Sequence, residues 1–189
     1  CAGRARGPEI GQLPQLTSND PQVEAELREA QASAARGQTS LAQRQLRAFL
    51  HAHPEDALVP AAQLSLGRLL LAQNKDGEAL ALFNSVGEHT DPAVAEQGRF
   101  YAGIANERLG HHAEAIDTLK SMQGRTIEPE QTRLLLDTLG DAHVALGQYA
   151  DAIQVISTKL SEPLSAAEQQ ATNERLSELS TTKRRQWTC

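Results

Sequence analysis

The segment FYAGIANERLGHHAEAIDTL, residues 100–119, places Gly110 between two runs that each carry apolar residues at helical spacing. A small residue, Gly103, lies seven positions before that glycine; Ala115 lies five after it and Leu119 nine after it. Three other stretches carry the same marks: LREAQASAARGQTSLAQRQL (27–46), LSLGRLLLAQNKDGEALALF (64–83) and LDTLGDAHVALGQYADAIQVI (136–156). The central residues Gly37, Asn74, Gly110 and Gly147 are spaced by 37, 36 and 37. Seven before each stands Ala30, Gly67, Gly103 or Gly140; five after stands Ala42, Ala79, Ala115 or Ala152. Nine after stands Leu46, Phe83, Leu119 or Ile156. A fixed period of this length is the signature of a repeat array and outranks any segment-by-segment reading.

Elementary chemistry turns the pattern into an architecture. Gly and Asn tolerate the left-handed backbone conformation in which helices commonly end, so each unit reads as a first helix, a tight turn and a second helix folding back. Pairing the small residue with the alanine, Gly103 with Ala115 or Gly140 with Ala152, would let the two backbones approach, with the bulky residue filling the groove beneath. A single helical hairpin cannot bury its apolar face alone, so neighbours stack. Pro54, Pro92, Pro129 and Pro163 mark the junctions, with Asp91-Pro92 and Glu128-Pro129 reading as helix starts. The spacing predicts helices at 21–36, 40–52, 57–73, 76–87, 92–109, 112–123, 129–146 and 149–160. A ninth helix, 165–181, opens with a capping box, Ser165 three residues before Glu168, and is polar enough to cap the last repeat. The expected divisions are a tether at 1–20, repeats at 21–54, 55–91, 92–127 and 128–164, a capping helix at 165–182 and a tail at 183–189.

Composition agrees with an all-α fold. Of 189 residues, 29 are Ala and 25 Leu, both strong helix formers, and only six are aromatic, where strands favour β-branched and aromatic side chains. The balance of 18 Lys and Arg against 24 Asp and Glu gives a formal charge of −6 and argues against a nucleic-acid partner. No apolar run approaches the roughly 20 residues that span a bilayer. Residue 1 is Cys, followed by Ala2-Gly3 and a Gly- and Pro-rich stretch. The expectation is a processed lipoprotein whose Cys1 carries the lipid anchor.

No constellation for catalysis, metal or cofactor binding emerges. His51 and His53 flank Ala52, and His111-His112 sit in a turn; neither pair has the i, i+4 spacing of a helical zinc site. Serines occupy no nucleophile elbow, and Gly-rich phosphate loops are absent. The chain reads as a protein without an enzymatic role or small-molecule substrate.

The small-turn-Ala-bulky-Pro arrangement, over residues 23–181, resembles the tetratricopeptide repeat, which implies a right-handed α-solenoid of four hairpins whose concave face, lined by first helices, holds a protein or peptide. The groove positions are Glu24, Leu27 and Gln31; Leu64, Arg68 and Leu71; Gln97, Phe100, Ile104 and Glu107; and Asp137, Asp141 and Val144, with Arg108 beside them. Leu64, Leu71 and Val144 read as packing between units; of the rest, Arg68, Gln97, Phe100, Ile104, Glu107, Arg108, Asp137 and Asp141 are the candidate binding residues. Leu27 and Gln31 stand where chaperone adaptors of this family carry a Lys and Asn carboxylate clamp, so that ligand is not expected. The stretch AFLHAHPEDALVPAAQLSLGRLLLAQNKDGEALALF (48–83), with His53-Pro54 before Glu55-Asp56, is similar to repeats of periplasmic and outer-membrane lipoproteins of Gram-negative bacteria. The run DPAVAEQGRFYAGIANERLGHHAEAIDTL (91–119) is similar to the amino-terminal helical segment of penicillin-binding-protein activator lipoproteins. That resemblance implies an outer-membrane-anchored periplasmic scaffold that regulates peptidoglycan synthesis. The alternative is a subunit of an outer-membrane assembly, Tol-Pal, secretion or motility machine. Lys183-Arg184-Arg185 reads as the cationic end of a helix. Trp187 and Cys189 fall outside the periodic region.

Overall fold

The computed structural model describes residues 16–123 and 128–186. Among these the chain is all α, without a strand: α1 Pro21–Ala35, α2 Thr39–Ala52, α3 Val59–Leu71, α4 Asp76–Gly87, α5 Pro92–Arg108, α6 His112–Lys120, α7 Pro129–Ala145, α8 Tyr149–Lys159 and α9 Ala166–Gln186. The helices pair as hairpins α1/α2, α3/α4, α5/α6 and α7/α8, and each second helix packs on the next first helix. Cys1, most of the expected tether, Trp187 and Cys189 lie outside the described residues.

The turns form as the sequence reading requires. Gly37, Asn74, Gly110 and Gly147 have φ of 74°, 58°, 81° and 71°. At each, the amide of the turn residue donates to the carbonyl three back and the next amide to the carbonyl five back, as in Gly110 N to Glu107 O (2.9 Å) and His111 N to Asn106 O (2.8 Å). This double closure satisfies the last carbonyls of the first helix and fixes the angle at which the chain re-enters the second. Two of the first helices start on carboxylate caps. Asp20 Oδ1 accepts from Gln22 N at 2.8 Å, and Asp91 Oδ1 accepts from Ala93 N at 2.8 Å, each with proline next.

One contact differs from the sequence reading. The small residues at the hairpin crossings do not primarily meet the alanines; they meet the bulky residues. A Cβ added at Gly103 would come within 2.5 Å of the Leu119 side chain, and one at Gly140 within 2.8 Å of Ile156. At Gly67 it would collide with the Phe83 ring. The glycines thus leave a socket into which the second helix inserts its large side chain, and Phe83, Leu119 and Ile156 are at most 1% exposed. In the first repeat Ala30 and Leu46 hold the equivalent places, both fully buried.

The ends also depart from expectation. Leu16 packs against the core and Ser18 Oγ donates to Asp56 Oδ2 at 2.6 Å, so the residues just before α1 are held to the fold. The last helix runs on through Lys183 to Gln186, where the reading has a tail. It starts on the expected capping box: Ser165 N and Oγ lie 2.8 and 2.6 Å from Glu168 Oε2, and Glu168 N donates back to Ser165 Oγ at 3.3 Å. Those bonds hold the Glu168 carboxyl below its ordinary range. Leu179 and Leu176 of α9 close over Ala152 and Ile156 of α8.

Candidate protein-binding surface

The first helices α1, α3, α5 and α7 pack on one another in succession and form one wall of the array. Side chains 33 or 34 positions apart meet between α1 and α3, between α3 and α5, and between α7 and α9. Gln31 Nε2 donates to Ser65 Oγ at 3.3 Å between α1 and α3. The Arg68 guanidinium of α3 stands 5.6 Å from the Tyr101 ring centroid of α5. Asp141 of α7 pairs with Arg175 of α9. By this register α9 continues the row of first helices.

The candidate residues divide into three groups on this wall. Arg68 is exposed, with its guanidinium over the Tyr101 ring, which stacks in turn on Phe83 at 5.3 Å and meets Phe100 edge-on at 5.0 Å. An arginine positioned over an aromatic face keeps its donors available to a carboxylate or carbonyl.

Gln97, Phe100 and Ile104 correct the reading, because they are 4%, 0% and 6% exposed and cannot form an open groove. The places of Gln97 and Phe100 are core in the second repeat too, where Ala61 and Leu64 are 7% and 4% exposed, whereas Ile104 is buried where Gln31, Arg68 and Asp141 are exposed. Helix α5 packs against α3, α4, α6 and α7. A Cβ on Gly98 would stand 2.7 Å from Phe83 O and overlap the Gly87 amide, so α5 lies on the bare backbone of α4. Leu64 and Leu71 are buried, as the packing reading of them expects, while Val144 is half-buried against the cap.

The remaining four are committed to contacts within the chain. Arg108 reaches back to the preceding turn, with Nη2 2.7 Å from Asn74 Oδ1 and Nε 3.1 Å from Asp76 Oδ1. Asp137 takes Lys159 Nζ at 2.7 and 2.8 Å on its two oxygens. Asp141 is met by Arg175. Glu107 is half-buried; burial foremost, and then the nearby Asp141 carboxylate, push its carboxyl up, while His112 and Arg108 oppose the shift. The acidic end of the wall is therefore compensated by cations of α8 and α9.

Two exposed features escaped the sequence reading. Leu134 of α7, at the place that Gln97 has in α5, is 42% exposed, and Arg175 turns a polar capping helix into part of the wall. The 34-residue offset between touching side chains was the available signal. On the opposite side, a polar hollow of about 280 Å³ lies among Asn84, Glu88, Arg99, Asn106 and Thr118. The histidines are dispersed: His53 pairs with Glu26 at 2.9 Å and His143 Nδ1 with Gln148 at 2.6 Å. Among the described residues no three His, Cys, Asp or Glu side chains gather as metal ligands, and no helix is long and apolar enough to cross a membrane.

Among the described residues, helices in successive hairpins, with glycine sockets and left-handed turns at a fixed period, define a tetratricopeptide-like fold. The tetratricopeptide repeat profile matches residues 27–93. A solved structure described as the nearly identical TPR-like repeats of a candidate kinesin light chain of Podosopora anserina is similar at 18% identity and a TM-score of 0.64, covering 88% of this chain and 89% of that one. A thermophilic TPR protein of Thermus thermophilus is similar at 15% identity and a TM-score of 0.44, covering 84% of this chain and 99% of that one. A tetratricopeptide repeat protein of Parabacteroides merdae is similar at 14% identity and a TM-score of 0.35, over 88% and 90% of the two chains. No curated protein matches the sequence.

Proposed function

We propose that this protein is a non-enzymatic scaffold that holds a segment of a partner polypeptide along the wall of first helices. The observation that carries the reading is Arg68 held over the Tyr101 ring, exposed in the middle of that wall, with Leu134 and the Asp141–Arg175 pair further along it. Arginine and aromatic anchors supply a disproportionate share of interface energy. Interfaces of this kind also mix apolar and polar groups. The finer reading, a lipid anchor on Cys1 in the periplasm at the outer membrane and regulation of peptidoglycan synthesis, rests on the resemblance of residues 48–83 to Gram-negative envelope lipoproteins and of residues 91–119 to penicillin-binding-protein activators.

Photo-crosslinking tests the first part. A crosslinker at position 68, in cells of the source organism, should trap one polypeptide that a crosslinker at Gln154, exposed on α8, does not trap. Equal trapping from both positions, or none from position 68, would overturn the wall as the binding surface. The finer reading requires the protein in the outer-membrane fraction and a cell-wall synthase as the trapped partner. Recovery in the cytosol refutes it while leaving the scaffold intact.

A further inference from the structure

Among the described residues, no helix packs on the first repeat at the end opposite α3. An open groove of about 480 Å³ runs between α1 and α2, floored by Ala25, Ala48, Phe49 and Ala52 and edged by Glu26 and Glu29. Moving 37 residues along the chain, from the turn at Gly37 to that at Asn74, shows what such a slot holds inside the array. The counterparts of Ala25 and Glu29 are Ala62 and Leu66 on α3, where α2 packs, and these are 0% and 2% exposed. Ala25 and Glu29 themselves are exposed. The geometry of the repeat therefore provides for a helix in this place.

The slot also departs from its internal counterpart in a consistent direction. Gln22 stands where the next repeat has Val59, Glu29 where it has Leu66, and Gln45 where it has Leu82. The Glu26 and Glu29 side chains are 45% and 60% exposed, each touched by one side chain of the chain, His53 and Arg36 respectively. Gln45, which lines the groove, keeps Oε1 buried without a hydrogen-bond partner. An apolar floor of alanines accepts close approach of a helix, and acceptors around it favour donors and positive charge. We propose that this groove docks an α-helix of a partner protein, its stripe of Ala and Leu lying on Ala25, Ala48 and Ala52 and its flanking Lys or Arg facing Glu26 and Glu29. The site is separate from the first-helix wall and does not depend on what that wall binds.

The test uses the full chain and a labelled synthetic helix of about 18 residues, long enough to be helical in water, with an Ala/Leu stripe flanked by lysines. Fluorescence anisotropy should show saturable binding. The same peptide with Glu for Lys, and the Ala48→Arg protein, should each bind at least about tenfold more weakly, a loss of about 1.4 kcal/mol. Ala48 is exposed, so that variant should keep the parental circular dichroism spectrum. Failure of the lysine peptide to bind, equal binding of the glutamate peptide, or binding unaffected by Ala48→Arg each overturns the proposal. So does light scattering that shows self-association abolished by Ala48→Arg, which puts a second copy in the groove. Displacement of the helix by a peptide of residues 1–15 assigns the groove to the chain itself, with the same consequence.

Discussion

Replacing Gly98 by alanine is the sharpest probe of how α4 and α5 are joined. A Cβ there would stand 2.7 Å from Phe83 O and from Val86 C and overlap the Gly87 amide nitrogen, all backbone atoms of α4. No change of rotamer removes such a contact; one helix must move away from the other. Overpacking a well-filled site costs about 1–3 kcal/mol, and a backbone obstacle belongs at the upper end. Alanine returns about 1 kcal/mol of helix propensity relative to glycine. The net expectation is a loss of about 2 kcal/mol, or roughly 30-fold in the folding constant. Urea unfolding followed by far-ultraviolet circular dichroism measures it, with Gly77→Ala as the control. Gly77 also lies in α4, but an added Cβ there meets nothing within 4 Å. That control should be neutral or stabilised by up to about 1 kcal/mol. An unchanged urea midpoint for Gly98→Ala, or an equal loss for Gly77→Ala, would refute the backbone-contact argument.

Two other perturbations test the electrostatics and the caps. Glu107→Gln should stabilise the protein at neutral pH. Burial and Asp141 raise the folded-state pKa above 4.5, so the folded chain carries a penalty for the charge that protonation removes. As pH falls through that raised pKa toward 4.5, the parent gains proton-linked stability and the gap between the two proteins should close. A gap independent of pH, or a parent more stable at neutral pH, contradicts this sign. Asp91→Ala removes the side chain that accepts from Ala93 N and Val94 N at the start of α5, and should cost about 1 kcal/mol in a denaturant titration. No shift of the midpoint would show those amides to be satisfied another way.

The turns and hairpins were legible because their requirements fall on single residues. A positive φ restricts Gly37, Asn74, Gly110 and Gly147 to residue types that tolerate it, and four such restrictions at one period leave little freedom in the architecture. The sockets were legible in position but not in partner. Ala115 and Leu119 lie on the same face of α6, and only the rotation of the helix about its axis decides which of them reaches Gly103. The Gly87–Gly98 contact left no trace in the repeat, because Ala25, Ala62 and Leu135 occupy the place of Gly98 in the other units. A feature used at one seam has no second copy to reveal it.

The binding surface was harder to read for a reason that follows from the same seam. Counting positions along a first helix assumes that every first helix sits at the same depth in the wall. Leu27, Leu64 and Phe100 occupy one place in the first three units and are all buried, as Ala61 and Gln97 are at another, so those places belong to the core in more than one unit. Ile104 is the departure: it is buried where Gln31, Arg68 and Asp141 are exposed, on the helix that Gly98 brings against the backbone of α4. With Phe100 turned inward, the neighbouring Tyr101 takes the seam, stacked on Phe83 behind and offering its ring to the guanidinium in front. A substitution that lifts α5 away from α4 should disturb the wall at Arg68 as well as the core beneath it.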